Sequence, residues 1–288
     1  MDIRTNVKTV GVIGTGTMGS GIAQTFAQAG RKVLLYDAVP AAVDKALAGI
    51  GKSLDKFVEK GKLAAADAAA TKGNLKPATL GDMAGVDLVV EAVFEDVGVK
   101  RDLYQQLAKT VPADVVFASN TSSISISQLG ALSGRAEQFI GMHFFNPVPM
   151  MKLVEVVVGL RTAPPVVEFI SNLSQELGKT PLRVKDHPGF VSNRVLMPLI
   201  NEAIAAYAEG IADPATIDEV LKLGCAHTMG PLATADLIGL DVCLNIMEVL
   251  QRDLGEDRYR PHPVLRTMVR AGQLGRKSGR GFFDYASK

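Results

Sequence analysis

The chain has 288 residues, of which 47% are hydrophobic and 21% are charged, and its net charge is +1. This composition is typical of a globular protein with one large domain or two smaller ones. The balanced charge argues against a surface built for nucleic acid or for an anionic membrane. No run of eighteen apolar residues occurs in the sequence, so we expect no membrane-spanning helix.

The two cysteines, Cys225 and Cys243, form neither a metal motif nor a disulfide framework. Such sparse cysteine usage indicates a reducing compartment. A first strand that begins near Thr9 leaves no room for a targeting peptide, so we expect a cytoplasmic protein. No two of the four histidines stand at ligand spacing, and we expect no metal site.

The first part of the chain alternates buried strands with helical segments. Strands are predicted at residues 8–13, 32–36, 86–90, 115–119, 138–142, 153–158 and 182–184. Helices are predicted between them at residues 20–29, 40–70, 97–110 and 164–177. This alternation predicts an α/β domain with a doubly wound, mostly parallel sheet.

The pattern changes near residue 185, after which helical segments dominate. They are predicted at residues 190–208, 214–223, 231–254 and 263–271. Asp213-Pro214 is a strong helix start, because a capping carboxylate precedes a proline in the first turn. We therefore predict two domains: residues 1–185 form the α/β domain, and residues 186–288 form an all-α C-terminal domain.

A glycine turn, Gly14-Thr15-Gly16-Thr17-Met18-Gly19, links the first predicted strand to the first predicted helix. In a Rossmann-type fold, the first glycine permits a tight turn, the second lets a pyrophosphate approach, and the third allows close packing of helix and strand. An acidic residue ends the second strand, 23 residues after Gly14. The predicted cofactor-binding residues are Gly14, Gly16, Thr17, Met18, Gly19 and Asp37.

Asp37 bears on the choice of cofactor. Its carboxylate can accept hydrogen bonds from the adenosine ribose hydroxyls and would repel a 2′-phosphate, which favours NAD over NADP. The same acidic residue also suits FAD. The turn and Asp37 by themselves therefore leave NAD and FAD open.

A single glutamate, Glu155, interrupts the apolar run Leu153-Val154-Glu155-Val156-Val157-Val158. A buried carboxylate is costly unless a partner satisfies it. His143 follows the preceding predicted strand and is a candidate partner; Lys152 and Lys185 are alternatives. A histidine oriented by a carboxylate is a standard general base for a hydroxyl, although a lone histidine is often structural.

Hydroxyl side chains follow another predicted strand, in Ser119-Asn120-Thr121-Ser122-Ser123. They are expected at the carboxyl end of the sheet, where open α/β sheets bind ligands. Ser122 could instead only cap a helix. Together with the dinucleotide motif, Ser122, His143 and Glu155 favour a catalytic site.

Four segments, "FASNTSSISIS", "GMHFFNPVPMMKLVEVV", "KDHPGFVSNRVLMPLINEA" and "GRKSGRGFFDY", resemble the signatures of the L-3-hydroxyacyl-CoA dehydrogenases. The resemblance covers nearly the whole chain and is strongest to the short-chain bacterial 3-hydroxybutyryl-CoA subgroup. It implies NAD-dependent oxidation of an (S)-3-hydroxyacyl-CoA, reduction of acetoacetyl-CoA in reverse, and a homodimer formed through the C-terminal domain. It implies no nucleic-acid or membrane partner.

The resemblance also implies roles for individual residues. His143 matches the catalytic base, Glu155 its partner, Ser122 a contact to the substrate oxygen, and Asn193 an asparagine supplied by the second domain. The further positions implied to contact the cofactor are Glu95, Lys100, Ser122, Asn146 and Lys277. Those implied to bind the coenzyme A part of the substrate are Ser53, Lys56 and Lys60.

Lys52, Lys56 and Lys60 recur every four residues and so share one helix face. Spacing alone favours a solvated lysine face, whereas the resemblance favours contact with the phosphates of coenzyme A. Two other functions stay open. One is a dehydrogenase of a free hydroxy acid, with Arg194 as the candidate for the carboxylate, and the other is a non-catalytic dinucleotide-binding protein.

Overall fold

The computed structural model describes residues 3–286. The chain divides into two compact units, the first ending at Asp186 and the second beginning at His187. Asp186 accepts hydrogen bonds from the Ser125 hydroxyl and from the amides of Ile126 and Ser127, which ties it to the first unit.

The first unit is built on one eight-stranded sheet. Its strands are β1 Thr9–Ile13, β2 Lys32–Tyr36, β3 Leu75–Pro77, β4 Leu88–Glu91, β5 Val116–Ser119, β6 Phe139–Phe144, β7 Leu153–Val158 and β8 Thr180–Lys185. Their order is β3-β2-β1-β4-β5-β6-β7-β8. Neighbouring strands are parallel except β6 and β7, which are antiparallel.

Helices follow the strands of this sheet. They are α1 Thr17–Gln28, α2 Pro40–Glu59, α3 Ala65–Gly73, α4 Val97–Thr110, α5 Ile126–Leu132 and α6 Pro164–Glu176. Apolar residues from β1, β4 and β6 and from α1 and α6 form one buried cluster. The strand order reverses between β1 and β4, the switch point at which open α/β sheets bind ligands. The predicted fold class is confirmed for this unit.

The second unit is helical, as predicted. Its helices are α7 Ser192–Ala208, α8 Pro214–Cys225, α9 Pro231–Ile238, α10 Leu240–Leu254 and α11 Pro263–Arg270. They enclose a separate apolar cluster that includes Met197, Leu232 and Leu250. In the described residues 3–286, no helix is both long and apolar enough to cross a membrane.

Two helix predictions were wrong in length. Residues 40–70 form α2 and α3, and residues 231–254 form α9 and α10. At both breaks a glycine has a positive φ that an α-helix does not allow, +65° at Gly61 and +104° at Gly239. The short edge strand β3 was not predicted, and no bounds were predicted for helix α5. β3 has only three residues, too few for a recognisable alternation.

Candidate active site

In the glycine turn between β1 and α1, Gly14 and Gly19 are closely packed against backbone, whereas the space beside Gly16 is open. A Cβ on Gly14, whose φ is +89°, would lie 2.6 Å from the Ala92 carbonyl oxygen, and one on Gly19 would lie 1.8 Å from the Gly14 oxygen. A Cβ on Gly16 would meet nothing within 4 Å. This open space beside Gly16 fits the close approach of a pyrophosphate.

Helix α1 presents its amino end at the same turn. It begins at Thr17, and in the described chain its first turn contains neither a side-chain cap nor an acidic residue. The first backbone amides of a helix lack intrahelical partners and carry a partial positive charge, so they attract an anion. The residues of the turn, including Thr17 and Met18, therefore suit a phosphate group.

Asp37 follows β2 and is held against this turn. Its carboxylate accepts hydrogen bonds from the Thr15 amide at 2.8 Å, the Thr15 hydroxyl at 3.0 Å and the Val39 amide at 3.0 Å. Partial burial works against the charged form, but these donors lower the pKa of Asp37 below its ordinary value. A carboxylate fixed beside the glycine turn matches the ribose-binding role predicted for it.

His143 and Glu155 stand directly opposite each other in the antiparallel pair of β6 and β7. Residues in this register project on the same face of the sheet, and the His143 Nδ1 lies 2.8 Å from the Glu155 Oε2. The two residues are only 6% and 2% exposed. The glutamate in the apolar strand is therefore hydrogen-bonded to the histidine that was predicted as its partner; their catalytic roles stay predictions.

Ser122 lies in the loop that follows β5. Glu95 accepts hydrogen bonds from the amides of Ser122 and Ser123, at 2.9 and 3.2 Å, and from the hydroxyls of Thr121 and Ser123. The residue that caps α5 is Ser125. Glu95 thus orders the hydroxyl-bearing loop.

The same loop is tied to the strand that carries His143. The Asn120 side-chain oxygen accepts a hydrogen bond from the Phe144 amide at 2.9 Å. Phe144 directly follows His143 in β6. The carboxyl ends of β5 and β6 are therefore held together by a side chain.

Lys100, implied by the resemblance to contact the cofactor, has a side chain that is only 1% exposed. Its ammonium lies 2.6 Å from Glu91 and 3.1 Å from Glu95. Glu91 was not predicted, because the predicted strand ended at Val90. A strand one residue longer would have ended in a buried carboxylate, which requires a partner.

Ser53, Lys56 and Lys60 lie together on α2. They border a surface cleft of about 320 Å³, which is also lined by Lys52, Lys62 and Met150. Within residues 3–286, no carboxylate forms an ion pair with Lys52, Lys56 or Lys60. Four ammonium groups around one cleft favour an anionic ligand over a merely solvated face.

The other predicted positions are found in separate places. Asn146 is exposed in the loop between β6 and β7. Asn193 is buried in the first turn of α7, in the second unit. Lys277, also in the second unit, pairs with Asp241 at 2.5 Å. The roles implied for these three residues stay predictions.

The described residues contain no group of three or more His, Cys, Asp or Glu side chains that could hold a metal ion. The site brings together a dinucleotide turn, a buried histidine–glutamate pair and an ordered hydroxyl loop. Proton removal from an alcohol beside a nicotinamide is the reaction class to which these parts are suited.

Comparison with known proteins identifies the family. The model of the 3-hydroxyacyl-CoA dehydrogenase NAD binding domain matches residues 9–187, and that of the C-terminal domain matches residues 189–285. The chain is 53% identical to a probable 3-hydroxybutyryl-CoA dehydrogenase of Deinococcus radiodurans, over 96% of this chain and 99% of that protein. It is 48% identical to a 3-hydroxybutyryl-CoA dehydrogenase of Clostridioides difficile, over 95% and 98% of the two chains.

A solved structure agrees with these sequence relatives. The crystal structure of (S)-3-hydroxybutyryl-CoA dehydrogenase from Ralstonia eutropha superposes with a TM-score of 0.92 and 48% identity, covering 98% of this chain and 100% of that chain. The NAD-binding family domain decides between the two cofactors left open by the glycine turn, in favour of NAD. The chain belongs to the 3-hydroxyacyl-CoA dehydrogenase family.

Proposed function

We propose that this protein oxidises (S)-3-hydroxybutyryl-CoA to acetoacetyl-CoA with NAD and catalyses the reverse reduction. The observation that carries the proposal is the buried His143–Glu155 hydrogen bond of 2.8 Å, in a unit that is the family's NAD-binding domain. The substrate class is supported by relatives named 3-hydroxybutyryl-CoA dehydrogenases at 53% and 48% identity.

The chemical roles follow from the hydrogen-bonding geometry. When bound, NAD supplies the nicotinamide that accepts the hydride leaving C3 of the substrate. When His143 donates its Nδ1–H to Glu155, its Nε2 is the basic nitrogen that takes the proton of the 3-hydroxyl. Glu155 then stabilises the imidazolium through a charge-assisted hydrogen bond. Ser122 holds the reacting oxygen, and Asn193 keeps the role that the resemblance implies for it.

The coenzyme A part of the substrate is assigned to the lysine cleft on α2. Ser53, Lys56 and Lys60 line it, and the positive charges of the two lysines are matched by the phosphates of the nucleotide end. Such contacts lie far from the bond that reacts and serve to hold the substrate in place. A free hydroxy acid would make none of them.

The proposal also includes an oligomeric state and a cellular location. The second unit exposes apolar side chains on α7 and α8, including Val195, Val220 and Leu223, which supports a homodimer formed through this unit. Only two cysteines occur in the sequence, which supports a cytoplasmic location. Fluorescent tagging of the protein in its host cell tests the location, and a membrane or secreted signal contradicts it.

The test of the proposed activity is NADH oxidation with acetoacetyl-CoA compared with free acetoacetate. We expect kcat/KM to be higher for the thioester by about 10²-fold or more, since the lysine cleft contributes only to binding a coenzyme A ester. Comparable rates with acetoacetate would favour the free hydroxy acid function and Arg194. NADH binding without turnover of either substrate would favour a non-catalytic dinucleotide-binding protein.

A further inference from the structure

Glu91, at the end of β4, is a fully buried carboxylate outside the His143–Glu155 pair. It is 0% exposed. It accepts four hydrogen bonds: from the Lys100 ammonium at 2.6 Å, and at 2.7 Å each from the Val93 amide, the Tyr104 hydroxyl and the Ser119 hydroxyl. A buried carboxylate is tolerated only when its lone pairs are satisfied in this way, so the four donors are held in fixed places around it.

Two arms of hydrogen bonds lead from Glu91 to the loop that carries Ser122. The shorter arm passes through Ser119, whose hydroxyl donates to Glu91 and accepts from the Thr121 amide at 3.2 Å. It places the start of the loop relative to β4.

The longer arm passes through Lys100, which lies between Glu91 and Glu95 at 2.6 and 3.1 Å. Glu95 in turn accepts from the amides of Ser122 and Ser123. Burial alone would lower the pKa of Lys100, but the two carboxylates raise it. The lysine therefore stays charged and holds both carboxylates in place.

We propose that Glu91 is a positioning residue for Ser122: through Ser119 and through Lys100–Glu95 it sets the conformation of the Thr121–Ser123 loop. The proposal rests on the proposed function, in which Ser122 holds the oxygen of the substrate. It also gives Lys100 a different role from the one implied by the resemblance. Lys100 forms ion pairs with two carboxylates that support the loop, and its 1% exposure leaves little surface for a ligand.

Tyr104 provides a matched control, because its hydroxyl is the one side-chain donor to Glu91 that is on neither arm. It donates to the Glu91 Oε2 at 2.7 Å from within α4 and packs against Phe117 and Phe139. Tyr104→Phe therefore removes a hydrogen bond to the same carboxylate while it keeps Ser119, Lys100 and Glu95, the residues of the two arms. Ser119→Ala cuts the shorter arm, and Glu91→Gln weakens both, since an amide nitrogen must then face donors.

The experiment compares hydrogen exchange of the Thr121–Ser123 segment, steady-state kinetics with NADH and acetoacetyl-CoA, and NADH affinity by fluorescence. For Glu91→Gln and Ser119→Ala we expect exchange of the segment to be faster by about tenfold or more, because hydrogen bonds that protect its amides are weakened. We also expect kcat to fall more than the affinity for NADH. Tyr104→Phe should keep wild-type exchange of this segment and wild-type kcat. A lower melting temperature of this variant does not affect the comparison.

Unchanged exchange in Ser119→Ala and Glu91→Gln, or equal changes in Tyr104→Phe, would overturn the positioning role and leave Glu91 as a structural residue only. If Glu91→Gln does not fold, the contrast between Ser119→Ala and Tyr104→Phe decides alone. Hydrogen exchange needs no acyl-CoA turnover. A wild-type protein inactive on acetoacetyl-CoA would therefore defeat the proposed function, while the exchange result would still decide on Glu91.

Discussion

At the scale of single residues, the site depends on carboxylates that are satisfied by particular donors. Glu155 is placed directly opposite His143 by the register of β6 and β7. Removing either partner leaves a polar group buried without its hydrogen bond, which is costlier than the pair itself is stabilising. We therefore expect the pair to act as one unit in both stability and catalysis.

Asp37 gives a prediction about cofactor choice. Catalytic efficiency should be much higher with NADH than with NADPH, because a carboxylate beside the ribose repels a 2′-phosphate. Asp37→Asn keeps the shape of the side chain and removes its charge. It should lower the affinity for NADH by about 10- to 100-fold, the usual range for a lost charged hydrogen bond. Kinetics with both cofactors check this.

The thermal melting temperature of Asp37→Asn is measured as the control for folding. The Thr15 and Val39 amides donate to different oxygens of Asp37, so only one of them keeps an acceptor in the asparagine. Equal kcat/KM with NADH and NADPH in the unmodified protein would contradict the role given to Asp37.

Residue-level prediction succeeded where a polar side chain interrupted an apolar pattern. Glu155 stood inside a run of six strand residues, and its partner stood at the end of the previous strand. Glu91 was not predicted as a site residue because it is the last residue of its strand, where a polar residue looks like the beginning of a loop. Its four donors come from four separate positions in the chain, which no local pattern reveals.

At the scale of elements, the lysines of α2 that line the surface cleft give a prediction about substrate binding. Lys56→Ala and Lys60→Ala should raise KM for acetoacetyl-CoA more than KM for acetoacetyl-pantetheine, because the latter lacks the nucleotide phosphates. The difference should shrink at high salt, since exposed charges are screened. Steady-state kinetics at low and high ionic strength measure both effects.

Lys45→Ala is the matched control for this face. Lys45 is an exposed lysine of α2 that does not line the cleft, so its removal changes net charge without changing the proposed contacts. The assignment is contradicted if the Lys56 and Lys60 variants raise KM equally for acetoacetyl-CoA and acetoacetyl-pantetheine. It is also contradicted if Lys45→Ala raises KM for acetoacetyl-CoA in the same way.

Element types could be predicted more reliably than element ends. Short apolar runs between helical segments identified seven of the strands. The runs are nearly continuous in the buried strands β1, β4, β5, β6 and β7, and β8 is largely exposed. The breaks at Gly61 and Gly239 were missed because a single glycine within a helix-favouring segment does not by itself end a helix. The antiparallel pairing of β6 with β7 was also not predicted, although it places His143 opposite Glu155.

At the scale of the whole molecule, the helical unit is predicted to form a homodimer. Val220 and Leu223, on α8, are 59% and 79% exposed. Large apolar side chains grouped on one surface mark interaction sites. Light scattering should give twice the mass of the chain, and Val220→Asp combined with Leu223→Asp should shift it towards the monomer.

Leu160→Asp is the control for the dimer, since Leu160 is 92% exposed but belongs to the first unit. It should leave the mass unchanged. A monomeric unmodified protein, or a dimer insensitive to both substitutions on α8, would contradict an interface on this surface.

The most direct test of the account is formation of NADH from NAD and (S)-3-hydroxybutyryl-CoA by the unmodified protein, His143→Ala, Glu155→Gln and the double variant, with NADH affinity measured alongside. We predict that His143→Ala lowers kcat by about 10²–10⁴-fold, the usual contribution of a general base, with NADH affinity nearly unchanged. The double variant should lose much less than the product of the two single losses, because the pair acts as one unit. Near wild-type kcat in Glu155→Gln, or independent losses that multiply in the double variant, would contradict the assignment of His143 and Glu155 as a catalytic pair.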